Sequence, residues 1–119
     1  MKKIGIIGNG VAAVTAIREI RRENQDVKID VFTDEGYAYY PRPRLIALIA
    51  DRETPGGIIQ FEKDWYEKNN ATLHVSEPVL GINPTTRSIL SKTTTHFDYG
   101  RILITTGCHP FVPLIHGVE

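Results

Sequence analysis

The run Gly8-Asn9-Gly10-Val11-Ala12-Ala13 sets small residues at the spacing with which a polypeptide cradles a pyrophosphate. Gly8 permits a tight turn, and Gly10 lets the backbone approach a phosphate with no Cβ in the way. Ala13 keeps a following helix close to the preceding strand. The first N–H groups of such a helix have no partner within it, and the positive end of its dipole favours an anion. A dinucleotide site also needs an acceptor for the adenosine ribose hydroxyls, typically an acidic residue about 20 positions further on at the end of a second strand. Asp34 and Glu35 stand slightly later than that, because Thr33 occupies the position where the strand ends.

A glycine pattern carries this meaning only in a strand–turn–helix setting, and the flanking sequence provides one. Lys3-Ile4-Gly5-Ile6-Ile7 is a short apolar run that suits a buried parallel strand. From Val11, apolar residues recur at Val14, Ile17 and Ile20 with Arg18, Glu19 and Arg22 off the stripe, which predicts a helix ending near Glu23. Arg21 and Arg22 complement its negative C-terminal end, and Asn24-Gln25-Asp26 form a turn. Val27, Ile29 and Val31 alternate with Lys28 and Asp30, giving a second strand over 27–32. One β-α-β unit thus fills the first 35 residues.

Beyond it, Tyr37-Ala38-Tyr39-Tyr40-Pro41-Arg42-Pro43 cannot be a regular helix, while Pro43 suits the first position of one over 44–50. Thr54-Pro55-Gly56-Gly57 is a loop. Phe61, Trp65 and Lys68 mark one side of a short helix ended by Asn69-Asn70, and residues 72–75 read as a third strand. Extended pieces at 79–82 and 88–92, separated by Asn83-Pro84-Thr85, predict a small antiparallel hairpin or meander. Residues 101–105 form a last apolar strand, followed by the loop Thr106-Gly107-Cys108-His109-Pro110. The expected fold is a Rossmann-like α/β domain: a parallel sheet with helices, plus the meander.

Composition narrows the function classes. Fourteen basic residues balance fourteen acidic ones, so no overall field favours nucleic acid or an anionic membrane, and anion binding must be local. The lone Cys108 excludes an intrachain dithiol, and it lacks an activating neighbour in the sequence. His74, His96, His109 and His116 lack metal-ligand spacing, so no metal site is expected. The apolar run after Lys2-Lys3 is broken by Gly8 and Gly10, too early for a signal peptide or a membrane span, so a cytoplasmic protein is expected. The sequon Asn70-Ala71-Thr72 is then a chance match.

Four stretches taken together resemble the N-terminal FAD-binding segment of the pyridine nucleotide-disulfide oxidoreductases, in the branch of rubredoxin and ferredoxin reductases and the large subunit of NADH-dependent nitrite reductase. They are Gly8 to Ala13; Asp34-Glu35 leading to Tyr40-Pro41-Arg42-Pro43; Val79-Leu80-Gly81-Ile82-Asn83-Pro84; and Phe97-Asp98-Tyr99 through Gly117-Val118-Glu119. The last contains a strand and a Thr106-Gly107-Cys108-His109-Pro110 loop similar to the family's ATGxxP loop, with Thr105 in place of alanine. Its end is similar to the PGxE junction. The resemblance implies that Gly8, Asn9, Gly10, Val11, Ala12 and Ala13 hold the pyrophosphate, that Asp34 or Glu35 takes the ribose, and that the Val79 backbone meets the adenine. Thr105, Thr106 and Gly107 would approach the flavin nucleotide, with Arg42, beside Pro43, near the pyrophosphate or flavin. Ferredoxin-reductase-like members often carry a lysine where Ala47 stands here, a departure that leans toward the nitrite-reductase-like branch.

The resemblance further implies an NAD(P)H-dependent flavoprotein passing electrons to a redox protein or an inorganic acceptor such as nitrite. The flavin would perform the chemistry, so no catalytic acid, base or nucleophile is expected. Residues 1–119 would be one FAD-binding domain at the start of a longer oxidoreductase, unable to turn over alone. A noncatalytic module holding ADP, AMP or NAD is the alternative, because the glycine pattern suits it equally. Only the 105–110 loop and Arg42-Pro43 argue for flavin.

Overall fold

A computed structural model describes residues 3–117. A four-stranded parallel sheet has the order β3-β2-β1-β7, built from β1 (Lys3–Ile7), β2 (Ile29–Phe32), β3 (Ala71–His74) and β7 (Tyr99–Ile104). A separate antiparallel sheet of β4 (Val79–Asn83), β5 (Ser88–Ser91) and β6 (Thr95–His96) forms the meander. The helices are α1 (Val11–Glu23), α2 (Leu45–Ile49) and α3 (Lys63–Lys68), with a 3-10 turn at Arg42–Arg44 leading into α2. The Rossmann-like α/β fold and its meander therefore stand as expected. Among the described residues no helix is long and apolar enough to cross a membrane.

The strands' two-residue alternation gives the sheet two different faces. Ile6, Ile29 and Val31 point to the helix side, where Ala13, Val14 and Ile17 of α1 and Tyr66 of α3 close over them. Ile7 and Phe32 point to the other side and meet Ile89 of β5 and Tyr99 of β7. Gly5 makes that second contact possible: a Cβ there would lie 2.5 Å from the Ile89 side chain. The central strands β1 and β2 are thus buried on both faces, as interior strands of a parallel sheet are.

Several boundaries differ from the sequence-based expectation, each for an identifiable reason. Strand β2 begins at Ile29 rather than Val27, because the Val27 carbonyl accepts the buried Arg21 guanidinium. That arginine also donates to the Asn24 carbonyl at 2.6 Å and to the Asn69 carbonyl, clasping the end of α1 to the chain before β3. The buried residue of α3 is Tyr66; Trp65 is half-buried and stacks on Phe61, and Lys68 is exposed and paired with Asp64. The meander contains a third strand, Thr95–His96, that no alternation announced. The predicted helix over 44–50 is a 3-10 turn carrying Pro43 and then the short α2. Of the junction-like tail, Val118 and Glu119 lie outside the described residues.

A polar knot joins the two sheets. Asp30 of β2 lies on the meander side, with Lys3 Nζ at 2.9 Å, the Tyr99 hydroxyl donating at 2.8 Å and His74 Nε2 at 3.5 Å. His74 stacks on Phe32, and His96 of β6 packs edge-on against both rings. Burial alone would raise the Asp30 carboxyl, but His74, Lys3 and Tyr99 facing it outweigh burial and hold it far below the usual carboxylate range. A carboxyl depressed in the folded state stabilises it above the unfolded pKa of about 4 and loses that contribution as pH falls below it. Asp30→Asn should therefore lower stability at neutral pH by about 1–3 kcal/mol. Urea unfolding of both proteins from pH 7 to pH 2 should show this gap narrowing below pH ~4. A gap independent of pH would show that the carboxylate's charge is not what Asp30 contributes.

Candidate functional site

The site lies at the C-terminal ends of the parallel strands, where an open α/β sheet leaves a crevice. After β1 the chain turns at Gly8, whose φ is +102°, a left-handed value that favours glycine. A Cβ on Gly8 would lie 2.3 Å from the Thr105 carbonyl oxygen, so the turn also needs a residue with no side chain. The Gly8 N–H donates to the Phe32 carbonyl at 2.8 Å, and the Thr105 N–H donates to the Ile7 carbonyl at 2.8 Å. The Thr105 hydroxyl donates to the Ile7 and Gly8 carbonyls at 3.0 and 3.3 Å. Threonine at this position therefore ties the end of β7 to the glycine turn, a bond that alanine could not make.

Gly10 behaves differently. It is the N-cap of α1 with φ −91°, a conformation open to any residue, and a Cβ on it would meet nothing within 4 Å. That space is a cleft of about 360 Å³ bordered by Gly8, Gly10, Ala12, Asp34, Arg42 and Thr106. The first turn of α1 has no acidic residue and no side-chain cap. Its positive end is left for something outside the helix. A second cleft of about 430 Å³ adjoins it, sharing Gly8, Asp34, Glu35, Arg42 and Thr106 and extending to Leu45 and Val79.

Of the residues expected to act here, Gly8, Asn9, Gly10, Val11, Ala12, Asp34, Glu35, Arg42, Val79, Thr105, Thr106 and Gly107 border one or both clefts. Ala13 instead lies in the core against the sheet, where its small size spaces the helix from the strands. Pro43 is exposed in the 3-10 turn, away from both clefts. The Asn9 side chain is turned inward and accepts the Tyr66 hydroxyl at 2.8 Å. The two acidic candidates separate. Glu35 is engaged: it accepts the Tyr40 hydroxyl at 2.9 Å and pairs with Arg42 at 3.2 Å. Burial and the adjoining Glu35 raise the Tyr40 phenol above its ordinary range, so it stays a donor. Asp34 is exposed and makes no hydrogen bond or ion pair among the described residues. The Arg42 guanidinium also lies over the Tyr40 ring, 4.5 Å from its centre.

Sequence reasoning missed Thr33, Tyr40 and Cys108. Buried Thr33 follows β2, accepts the Glu35 N–H on its hydroxyl at 3.2 Å and borders both clefts. The Asp34 and Glu35 spacing hinted at Thr33, whereas the aromatic run around Tyr40 gave no indication of which ring would face the site. Exposed Cys108 borders both clefts in the loop after β7. Among the described residues no His, Cys, Asp and Glu cluster could hold a metal ion.

The two glycines should respond in opposite ways. Gly8→Ala must relieve a backbone collision at positive φ and should destabilise the fold by at least about 2 kcal/mol. Gly10→Val should cost the fold about 1 kcal/mol or less through the poorer N-cap while its side chain enters the cleft, and calorimetric titration should show ADP binding abolished. A Gly10→Val protein that binds ADP as well as its parent would reduce the glycine turn to a turn.

Known proteins resemble this chain in sequence, and one of solved structure resembles it in fold. The nitric oxide reductase FlRd-NAD(+) reductase of Aliivibrio fischeri is 31% identical over 115 residues, covering 96% of this chain and 30% of the relative. The NAD(P)H nitrite reductase of Bacillus subtilis is 29% identical over 119 residues, covering 99% of this chain and 15% of the relative. The crystal structure of NADH:rubredoxin oxidoreductase from Clostridium acetobutylicum superposes with a TM-score of 0.84 at 30% identity, over 99% of this chain and 31% of that one. The chain thus spans less than a third of the length of these relatives. Sequence similarity to one family runs from residue 2 to residue 119, and on it the chain belongs to the pyridine nucleotide-disulphide oxidoreductases.

Proposed function

We propose that this chain holds the ADP half of FAD, as the nucleotide-binding part of an NAD(P)H-dependent flavoprotein that passes electrons to a redox protein or to an inorganic acceptor such as nitrite. The observation that carries the reading is the open space at the Gly10 Cβ position, at the uncapped positive end of α1, inside a cleft that also holds an unpaired carboxylate and a fixed guanidinium. Phosphates fit the first two features, a ribose diol fits Asp34, and Arg42 offsets phosphate charge. Of the two acidic candidates, Asp34 is the ribose acceptor, since Glu35 is already committed to Tyr40 and Arg42. Val79, bordering the adjoining cleft, would hold the adenine, and the Thr106-Gly107 backbone would hold the flavin nucleotide.

FAD, when bound, supplies the hydride and electron chemistry. The residues of this chain bind and orient. The N–H groups of Val11 and Ala12 direct the phosphates, Thr105 fixes the loop that follows β7, and Glu35 aims Arg42 along the cleft. None of them needs to gain or lose a proton during turnover. The names of the relatives, reductases acting with NAD(+), NADH or NAD(P)H, support electron transfer as the wider role. Their remaining length is where this reading locates the NAD(P)H site and the rest of the flavin envelope, because the clefts here are open and a partly enclosed ligand loses much of the burial that tight binding needs.

The 119-residue chain should accordingly bind ADP weakly, retain little flavin on purification and show no NADH oxidation with an artificial acceptor. Calorimetric titration with ADP, the visible absorbance spectrum and a nicotinamide oxidation assay with added FAD test these in turn. Absence of ADP binding would remove the nucleotide reading. A yellow protein with stoichiometric FAD and steady turnover would show that the chain completes its own site.

A further inference from the structure

We infer that Tyr66 is a positioning residue for the nucleotide site: its buried side chain, hydrogen-bonded to the glycine turn and packed against Tyr39 of the segment that carries Arg42, holds the phosphate cradle and its compensating cation in one register. The inference rests on the reading that the glycine turn holds a nucleotide's phosphates. Tyr66 lies on α3, which borders neither cleft, and its side chain is fully buried among the residues that pack α1 on the sheet. A phenylalanine would satisfy that packing. The hydroxyl is therefore what needs explaining, and it donates to Asn9 Oδ1 at 2.8 Å, across 57 positions of sequence.

Asn9 sits between the two glycines of the turn and is itself buried. The hydroxyl thus grips the one side chain of the Gly8-Asn9-Gly10 turn. Tyr66 also packs in the same buried cluster as Tyr39. Tyr39 is held in turn by its carbonyl, which accepts the Gln60 N–H at 2.9 Å and the Phe61 N–H at 3.3 Å. One residue further, the Tyr40 ring supports the Arg42 guanidinium and the Tyr40 hydroxyl meets Glu35. A continuous path therefore runs Asn9, Tyr66, Tyr39, Tyr40, Arg42, from the glycine turn through the core to the exposed guanidinium. Burial pushes the Tyr66 phenol up despite its Asn9 partner, so it remains protonated and donating throughout the neutral range. Deleting the hydroxyl would leave the Asn9 carbonyl buried without a partner, a cost relieved only by moving the turn.

The test compares ADP titrations of the parent chain, Tyr66→Phe, Asn9→Ala, the double variant and Ile17→Val, the last as a core substitution that thins the same packing without touching the turn. Tyr66→Phe and Asn9→Ala should each weaken ADP binding about tenfold, and the double variant should bind no more weakly than either one. Ile17→Val should bind within about twofold of the parent, since it lowers stability alone. Amide exchange in the nucleotide-free proteins gives a readout independent of ADP. The Gly8 and Val14 amides, which bracket the turn, should exchange about tenfold faster in Tyr66→Phe relative to Val31 in the sheet. Parent-like ADP affinity and exchange in Tyr66→Phe overturn the inference while leaving the nucleotide reading intact, whereas a parent that binds no ADP removes both. If Tyr66→Phe does not fold, Asn9→Ala decides the matter, and parent-like affinity in that variant overturns the role.

Discussion

The contact between Gly8 and the Thr105 carbonyl is the constraint on which the site depends. Strand β1 is interior to the sheet, with β2 on one side and β7 on the other, so its end must turn between two neighbours at hydrogen-bonding distance. A left-handed residue with no Cβ is the solution that fits. With it in place, the Gly8 N–H reaches Phe32 and the Thr105 hydroxyl and N–H reach back to Ile7. Three chain segments distant in sequence, 7–10, 32–35 and 105–108, then converge on one crevice. Any side chain at Gly8 would separate β1 from β7 and disperse them.

The faces of the sheet divide the remaining work. The apolar cluster on the helix side sets the depth of α1, with Ala13 letting the helix approach closely. The meander side combines apolar contacts of Phe32, Ile89 and Tyr99 with the Asp30 knot, whose groups come from β1, β2, β3, β6 and β7. Packing alone specifies direction loosely, whereas a carboxylate with partners from several strands accepts few arrangements. Glu77, just before β4, adds a similar restraint: the hydroxyls of Ser91 and Thr93 donate to it and hold its carboxyl down to about 2. The meander is thereby fixed where Val79 can border the cleft.

Charge at the site is arranged in the same economical way. The chain as a whole is neutral, yet an uncapped helix N-terminus and Arg42 lie at one crevice. Glu35 and the Tyr40 ring restrain Arg42, limiting the rotamer freedom a long cation would otherwise lose on binding. Two adjacent acidic residues consequently have different surroundings, one restrained and one free in solvent.

The first 35 residues were legible in the sequence because their signals are local. Small residues at Gly8, Gly10 and Ala13, a helical stripe ending near Glu23 and an alternating strand before Asp34 each depend on a few neighbours in the chain, and the apolar run at 101–105 likewise located the last strand and the loop that follows it. What the sequence left open depends on contacts between distant positions. It could not separate Asp34 from Glu35, because the choice is made by Tyr40 and Arg42 folding back onto Glu35. It could not distinguish Tyr66 from Trp65 on a six-residue helix too short to show a stripe. Nor could it show that His74, His96 and Asp30 meet, since they lie on β3, β6 and β2, strands of two sheets that come together only when the fold packs. Local periodicity and turn chemistry are written residue by residue along the chain, but the partner of a buried polar group is chosen only when separate elements pack, and that choice belongs to the tertiary structure.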